Sequence, residues 1–138
     1  MLKLKIKSNF NFGKLATKMP DVLDNFLNDS YADLLVDESK KFIKSGQVTP
    51  PLKRSTIKQR KKEGYGNKAL FKTGALTNSL KKSKKGLQLK AYGVSHYNGF
   101  TIGSRGIKVP SRPFLVVRNF NKLKKVLQKA IHTALRQV

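Results

Sequence analysis

Residues 21–44 read DVLDNFLNDSYADLLVDESKKFIK, and their apolar positions recur every three or four residues. That spacing places the apolar side chains on one face of an α-helix. The residues concerned are Leu23, Phe26, Leu27, Tyr31, Leu34, Leu35, Phe42 and Ile43. Pro20-Asp21 suits a helix start, and Ser45-Gly46 suits a helix end. The sequence therefore predicts a long amphipathic helix over about 21–44, with a shorter helical stretch around 14–18 before it.

The charges are divided unevenly along the chain. It carries 30 Lys and Arg residues against 7 Asp and Glu, a formal net charge of +23. Six of the seven acids lie within residues 21–38, which contain no Lys or Arg. The acidic stretch has two interpretations. It is either a solvated helix face, or a surface through which Asp29, Asp33 and Asp37 dock on a basic surface of a neighbouring copy. Head-to-tail contacts of the second kind can close into rings.

Working outward towards both ends, the pattern changes from helix to strand and turn. Residues 2–7 alternate Leu or Ile with Lys, which is typical of a half-buried edge strand. After an extended linker with Pro50-Pro51, Ser55 or Thr56 is expected to cap a basic helical stretch that ends at Glu63. The glycines that follow indicate that a basic segment, about 53–68, is flexible in the free protein.

The second half of the chain predicts a short helix, strands and a last helix. Thr73 suits the N-cap of the short helix, and the lysine-rich residues 81–86 suit a turn. The predicted strands are 87–94, 100–102 and 107–109, while 114–117 is either a strand edge or an ordered loop because prolines precede it. An amphipathic helix is predicted over about 121–137. With 138 residues, the chain is expected to form one domain. The predicted fold class is α+β, an antiparallel sheet packed against the two long helices.

Composition argues against catalysis, metal binding and a membrane span. The chain has no cysteine and two histidines, His96 in a predicted loop and His132 in the last helix. Its acids form a stripe on one helix instead of the convergent set that a catalytic metal requires. It has no Walker phosphate loop, and no apolar run approaches the roughly 20 residues that span a bilayer. We therefore expect no enzyme activity, no cofactor and no membrane partner.

Nucleic acid is the main competing partner. Many basic residues lie in one predicted helix and in the residues just before it, and they could contact DNA phosphates or an acidic surface. These residues are Lys53, Arg54, Lys58, Arg60, Lys61 and Lys62. No helix-turn-helix, zinc finger or RNA-binding aromatic pair accompanies them, so binding would be blind to base sequence. The alternative function for this chain is therefore that of a non-specific DNA-binding or packaging accessory protein.

Four short motifs stand in order between residues 48 and 117. They are Pro51-Leu52-Lys53-Arg54-Ser55-Thr56, Leu70-Phe71-Lys72-Thr73-Gly74-Ala75-Leu76, His96-Tyr97-Asn98-Gly99 and Pro110-Ser111-Arg112-Pro113-Phe114-Leu115. In order and approximate spacing they resemble the virion-morphogenesis family of tailed phages, whose members are tail-completion or neck proteins. One departure is that Thr49 and Pro50 stand where members often carry an aromatic residue. The net charge is also unusually high.

The resemblance implies a structural subunit of the head–tail connection, in a ring through which the genome passes. Six-fold symmetry is favoured and twelve-fold is possible. The expected neighbours are neck, connector or tail-terminator proteins, with non-specific contact to genome DNA. The expected location is the head–tail junction of the virion, after synthesis in the host cytoplasm.

The residues of the motifs are then expected to have architectural roles. Thr73 and Gly74 would start a helix where another backbone approaches closely, and Gly99 belongs to the third motif. Pro110 and Pro113 would make the backbone rigid just before a buried strand that begins at Phe114. Arg112 has two interpretations: it is held outward for a carboxylate of a neighbouring subunit, or it forms an internal ion pair.

Overall fold

The computed structural model describes residues 11–84 and 86–137. The fold is α+β, with a long N-terminal helix, a C-terminal helix and two small antiparallel hairpins. The helices are α1 (Phe12–Asn25), α2 (Ala32–Ser45), α3 (Arg54–Lys62), α4 (Ala75–Ser79), α5 (Ala91–Asn98) and α6 (Phe120–Arg136), and a π-helical segment (Phe26–Tyr31) joins α1 to α2. The strands are β1 (Lys81–Ser83), β2 (Gly86–Gln88), β3 (Phe100–Ile102) and β4 (Ile107–Val109). The strand predicted for residues 2–7 lies outside the described residues.

The long N-terminal helix comprises α1, the π-helical segment and α2, and it begins earlier than the sequence predicts. Asn11 is its N-cap, because its side-chain oxygen accepts a hydrogen bond from the backbone N–H of Lys14 at 3.0 Å. Pro20 lies inside α1, so the predicted start at Pro20-Asp21 is wrong. The stretch predicted around 14–18 is part of the same helix. A proline inside a helix removes one backbone hydrogen bond. The helix nevertheless continues past this residue, and α1 packs against α6.

The π-helical segment separates two differently buried parts of the long helix. No residue of α1 is buried, whereas α2 buries Leu34, Val36, Ser39 and Ile43 among others. A π segment adds residues to the turn and so rotates the face that follows it. As a result α1 packs on α6, while α2 contacts the β1–β2 hairpin. The predicted end of the helix is confirmed, since Gly46 has a left-handed φ of 74° at its C-cap.

Phe114 lies at the centre of the core. It is fully buried in a cluster with Ile43, Val48, Ala69 and Leu76. The ring of Tyr97 meets it edge to face, with the centroids 5.6 Å apart. The core therefore joins α2, the loop after it, α4 and the segment before α6.

One buried hydroxyl group fastens this last segment to the long helix. Ser39 is fully buried on α2, and its Oγ accepts a hydrogen bond from the backbone N–H of Val116 at 3.1 Å. Residues 114–117 form no strand, so the buried strand predicted to begin at Phe114 is wrong and the loop is the alternative that agrees with the structure. Because Ser39 satisfies the Val116 N–H, this extended chain is held without a neighbouring strand.

The strands form two separate hairpins, where the sequence predicts one sheet. β1 pairs with β2, and β3 pairs with β4. The turn predicted over 81–86 is in fact most of the first hairpin. The strand predicted over 87–94 ends at Gln88, and residues from Ala91 onward form α5. A Cβ on Gly93 would lie 2.7 Å from Leu76 and from Leu89, so only glycine lets α5 pack this closely.

Two of the predicted N-caps are displaced. The N-cap of α3 is Lys53, whereas Ser55 and Thr56 lie within the first turn. The N-cap of α4 is Gly74, with a left-handed φ of 79°, while the Thr73 hydroxyl accepts a bond from the Ala75 N–H at 3.4 Å. In both cases the observed N-cap lies within three residues of the predicted one.

We predict that Gly99→Ala destabilises the fold. Gly99 has φ +79°, and a Cβ there would lie 2.8 Å from the backbone nitrogen of Ser111 and 3.0 Å from the carbonyl oxygen of Val109. Backbone atoms cannot move aside cheaply, and this conformation is strained for any other residue. We expect a loss of about 2 kcal/mol or more in the free energy of unfolding, measured by chemical denaturation.

Gly66→Ala is the matched control, because a Cβ at Gly66 meets nothing within 4 Å. Its effect should stay within about 0.5 kcal/mol. Equal stability of the two variants would contradict the close approach at Gly99.

Candidate functional site

The four motifs, separated along the chain, come together around one cavity. Its volume is about 230 Å³. Its lining residues are Leu52, Arg60, Leu70, Lys72, Thr73, Gly74, Ala75, Leu76, Tyr92, His96 and Arg112. Gly74 and Leu76 are buried at its floor, whereas Lys72, Thr73 and Tyr92 are exposed at its rim. We call this the motif cavity. Each of the four motifs contributes at least one lining residue.

Arg112 lies inside the molecule, with 5% of its surface exposed. Its Nε donates to the carbonyl oxygen of Pro50 at 2.7 Å, and its terminal nitrogen donates to that of Pro51 at 3.3 Å. The expectation that it is held outward is therefore wrong, and it forms no internal ion pair among the described residues. In an extended chain alternate residues share a side, so Arg112 points inward with Phe114, while Ser111 and Pro113 on the other side are exposed. Pro110, which precedes this stretch, is exposed as well.

His96 lies in helix α5, where the sequence predicts a loop. Its ring meets that of Phe100 edge to face, with the centroids 5.2 Å apart. Its Nδ1 atom is buried without a hydrogen-bond partner among the described residues. Burial lowers the pKa of His96 below its ordinary value of 6.5, and the positive charges of Arg112 and Arg60 lower it further. The neutral imidazole is therefore the favoured form in the folded protein.

Most of the basic residues predicted to contact DNA or an acidic surface are exposed on or beside α3. They are Lys53, Arg54, Lys58, Lys61 and Lys62. Arg60 differs, because its guanidinium donates to the carbonyl oxygen of Lys68 at 2.9 Å and lines the motif cavity. Residues 54–62 are helical, and Tyr65 bonds back to the Arg60 carbonyl at 2.8 Å. The flexibility of the segment 53–68 stays a prediction.

Two of the three predicted interface aspartates already contact a lysine of the same chain. Lys82 on β1 lies 2.8 Å from Asp29 and 3.2 Å from Asp33. Both aspartate side chains stay exposed, at 71% and 62%. The hydrogen bonds that Lys82 donates to Asp29 and to Asp33 raise the pKa of Lys82. No local pattern predicts this pair, because 53 residues separate Lys82 from Asp29.

A second and larger depression lies between the long N-terminal helix and α6. Its volume is about 560 Å³. Asp29, Asp33 and Asp37 line it from the long helix, and Lys122 and Lys129 line it from α6. We call it the helix groove. It places acids and lysines on either side of an apolar floor that includes Phe26 and Leu34.

The described residues show no arrangement suited to a metal ion or a membrane span. No group of three or more His, Asp or Glu side chains in residues 11–84 and 86–137 is placed to hold a metal. No helix in that part of the chain is long and apolar enough to cross a bilayer.

Comparisons of the chain with protein-family models, with curated proteins and with solved structures find no match. The resemblance to the phage family therefore rests on the four motifs.

We predict that the folded protein loses stability as the pH falls below 6.5, through His96. The unfolded chain binds a proton at the ordinary pKa of 6.5, but the folded chain binds it only at a lower pH. The stabilisation is complete above 6.5 and is lost as the pH falls towards the lowered pKa. The groups that face His96 are Arg60, Arg112, Lys72 and Tyr92. Chemical denaturation at about pH 7.5 and about pH 5.5 measures the effect.

The His96→Gln variant should lose most of the difference in unfolding free energy between the two pH values. The His132→Gln variant should retain that difference. The Glu63 carboxyl does not interfere, since its pKa is lowered from 4.5 by hydrogen bonds from Lys72 and Gln59. A pH dependence that survives in His96→Gln would show that another group is responsible.

Proposed function

We propose that this chain is a structural subunit of a phage head–tail connection, a neck or tail-completion ring through which the genome passes. The ring would contain six or twelve copies, next to neck, connector or tail-terminator proteins. It would lie at the head–tail junction of the virion after assembly in the host cytoplasm. The proposal assigns no catalytic role.

The observation that carries the proposal is the surface that the chain leaves exposed. The accessible surface is 10596 Å². A compact monomer of 15.5 kDa exposes about 7,200 Å². The twelve residues outside the described ranges could account for at most about 2,100 Å² of the excess, even if they were fully exposed. A chain this open is what we expect of a subunit that completes its burial against other subunits.

The exposed helices also have the composition of a contact surface. Leu23 and Leu27 on the long N-terminal helix are exposed, and so are Ile131 and Leu135 on α6. The acids surround the first pair, while basic residues cover most of the remaining chain. The pair of Asp29 and Asp33 with Lys82 is a contact between these two kinds of surface within one chain. The same kind of contact between copies would close a head-to-tail ring.

The convergence of the motifs supports the family resemblance. Each motif alone is short and common. In the fold, Leu52, Gly74, His96 and Arg112 line the same cavity. Residues from four distant segments that meet at one place are expected to act as one structural unit.

We predict that Asp29→Lys, Asp33→Lys and Asp37→Lys together weaken assembly. The triple change turns the acidic stripe basic, so it would repel the basic surface of the next copy. The wild-type protein should form a closed assembly with a mass about six or twelve times 15.5 kDa. Light scattering after size exclusion measures the mass, and circular dichroism should show unchanged helix content in the variant.

Lys82→Gln is the control for the intrachain pair. It breaks the contact with Asp29 and Asp33 but leaves the acids in place. Exposed pairs of this kind contribute little to stability, so this variant should assemble like the wild type. Normal assembly of the triple variant would contradict the acidic stripe as the ring contact.

We predict that the isolated subunit binds DNA weakly and without base preference. The exposed basic face of α3 would contact phosphates, and each contact releases counterions. Binding should therefore fall steeply between about 50 and about 200 mM salt. A ring that lets the genome pass should not hold it tightly. Titration of one labelled duplex and its scrambled counterpart across this range measures both properties.

Changing Lys58, Lys61 and Lys62 together to Gln should make DNA binding less dependent on salt. The control variant carries the same three Lys-to-Gln changes on α6, at Lys124, Lys125 and Lys129. Tight binding that selects one duplex at the upper salt concentration, at roughly 10⁻⁸ M, would favour the DNA-binding accessory protein instead.

A further inference from the structure

The motif cavity gathers more positive charge than the acids beside it balance. Arg60, Lys72 and Arg112 line it together with His96, and no Asp or Glu is among its lining residues. The nearest acid in the described chain that contacts this set is Glu63, which lies 2.8 Å from the Lys72 amino group and is already paired. Like charges repel strongly where solvent is partly excluded. The cavity is therefore a place where an anionic group would lower the electrostatic energy.

We propose that the motif cavity binds the carboxylate of an acidic side chain from a partner polypeptide. This site is separate from the ring contact of the long N-terminal helix, and it does not depend on the proposed function. The carboxylate would accept hydrogen bonds from the Arg60 guanidinium and from the Lys72 amino group. It would also lie near the imidazole of His96.

The two guanidinium groups of the cavity are fixed in place before any ligand arrives. The Arg112 side chain is held by the carbonyl oxygens of Pro50 and Pro51. Arg60 is held by the carbonyl oxygen of Lys68. Because these bonds go to backbone oxygens, they orient the guanidinium groups without neutralising their charge. A preorganised charged donor loses little entropy when it binds an anion.

The remaining lining explains why an acidic side chain fits better than DNA. Leu52, Leu70 and Leu76 provide an apolar wall against which the methylene groups of a Glu side chain can pack. The volume of about 230 Å³ admits a side chain. A duplex phosphate is flanked by sugars and the rest of the helix, so it cannot reach the buried floor at Gly74 and Leu76.

The proposal is tested by NMR on the full chain, which has only two histidines, His96 and His132. The first probe is glutarate, a carboxylate on a methylene chain, at constant ionic strength. The second probe is a blocked Ala-Glu-Ala peptide, compared with the same peptide carrying Gln. Glutarate and the Glu peptide should shift the ring signals of His96 and raise its pKa, because a nearby anion stabilises the imidazolium. His132 should not respond.

Arg60→Gln should weaken the binding of both acidic probes by about tenfold or more, the effect of losing a charged hydrogen bond. Arg54→Gln is the matched control, since it makes the same charge change at an exposed position of the same helix. Arg112 is left unchanged, because its loss would disturb the fold. An equal response to the Gln peptide, equal loss in the two variants, or no response of His96 to glutarate would overturn the proposal.

Discussion

Phe114 is fully buried, and its burial determines how the other parts of the chain are arranged. It packs with Ile43 of α2, Val48 of the following loop and Leu76 of α4. On one side of it, Arg112 bonds to the Pro50 and Pro51 carbonyls, and on the other, Val116 bonds to Ser39. Three neighbouring contacts thus join the long helix, the linker and the C-terminal half. The contacts of Arg112 and Val116 each involve a buried or half-buried polar group with a partner, and loss of such a partner is costly.

This core is small for the length of the chain, and many apolar residues are left outside it. Eleven hydrophobic side chains are buried among the described residues. The pairing of α1 with α6 lies beyond the Phe114 cluster, buries little of α1 and leaves the helix groove open. Contact with another molecule would cover the apolar residues that the described part of the chain leaves exposed. Acidic and basic surfaces on the same chain suit a second copy as the source of that burial.

Periodicity predicted the elements with a strong repeat, namely α2 and α6, and the glycine that ends the long helix. It failed where tertiary contacts outweigh local preference. Pro20 indicated a helix start, but Asn11 caps the chain earlier. Residues 91–94 looked like a strand, yet Gly93 lets them pack as a helix on Leu76. The inward direction of Arg112 could have been predicted, because it is two residues from Phe114 in an extended stretch. The pair of Lys82 with Asp29 could not, since no local pattern connects residues so distant in sequence.

The central claim is that the acidic part of the long helix contacts a basic surface of another copy. Carbodiimide cross-linking of an equal mixture of ¹⁴N- and ¹⁵N-labelled chains tests it directly, because the reagent joins carboxylates to amines already in contact. A link from Lys82 to Asp29 or Asp33 within one chain serves as an internal standard. We expect additional links between light and heavy chains that join acids of residues 21–38 to lysines elsewhere. Links confined to chains of a single isotope, with the internal standard present, would contradict the claim.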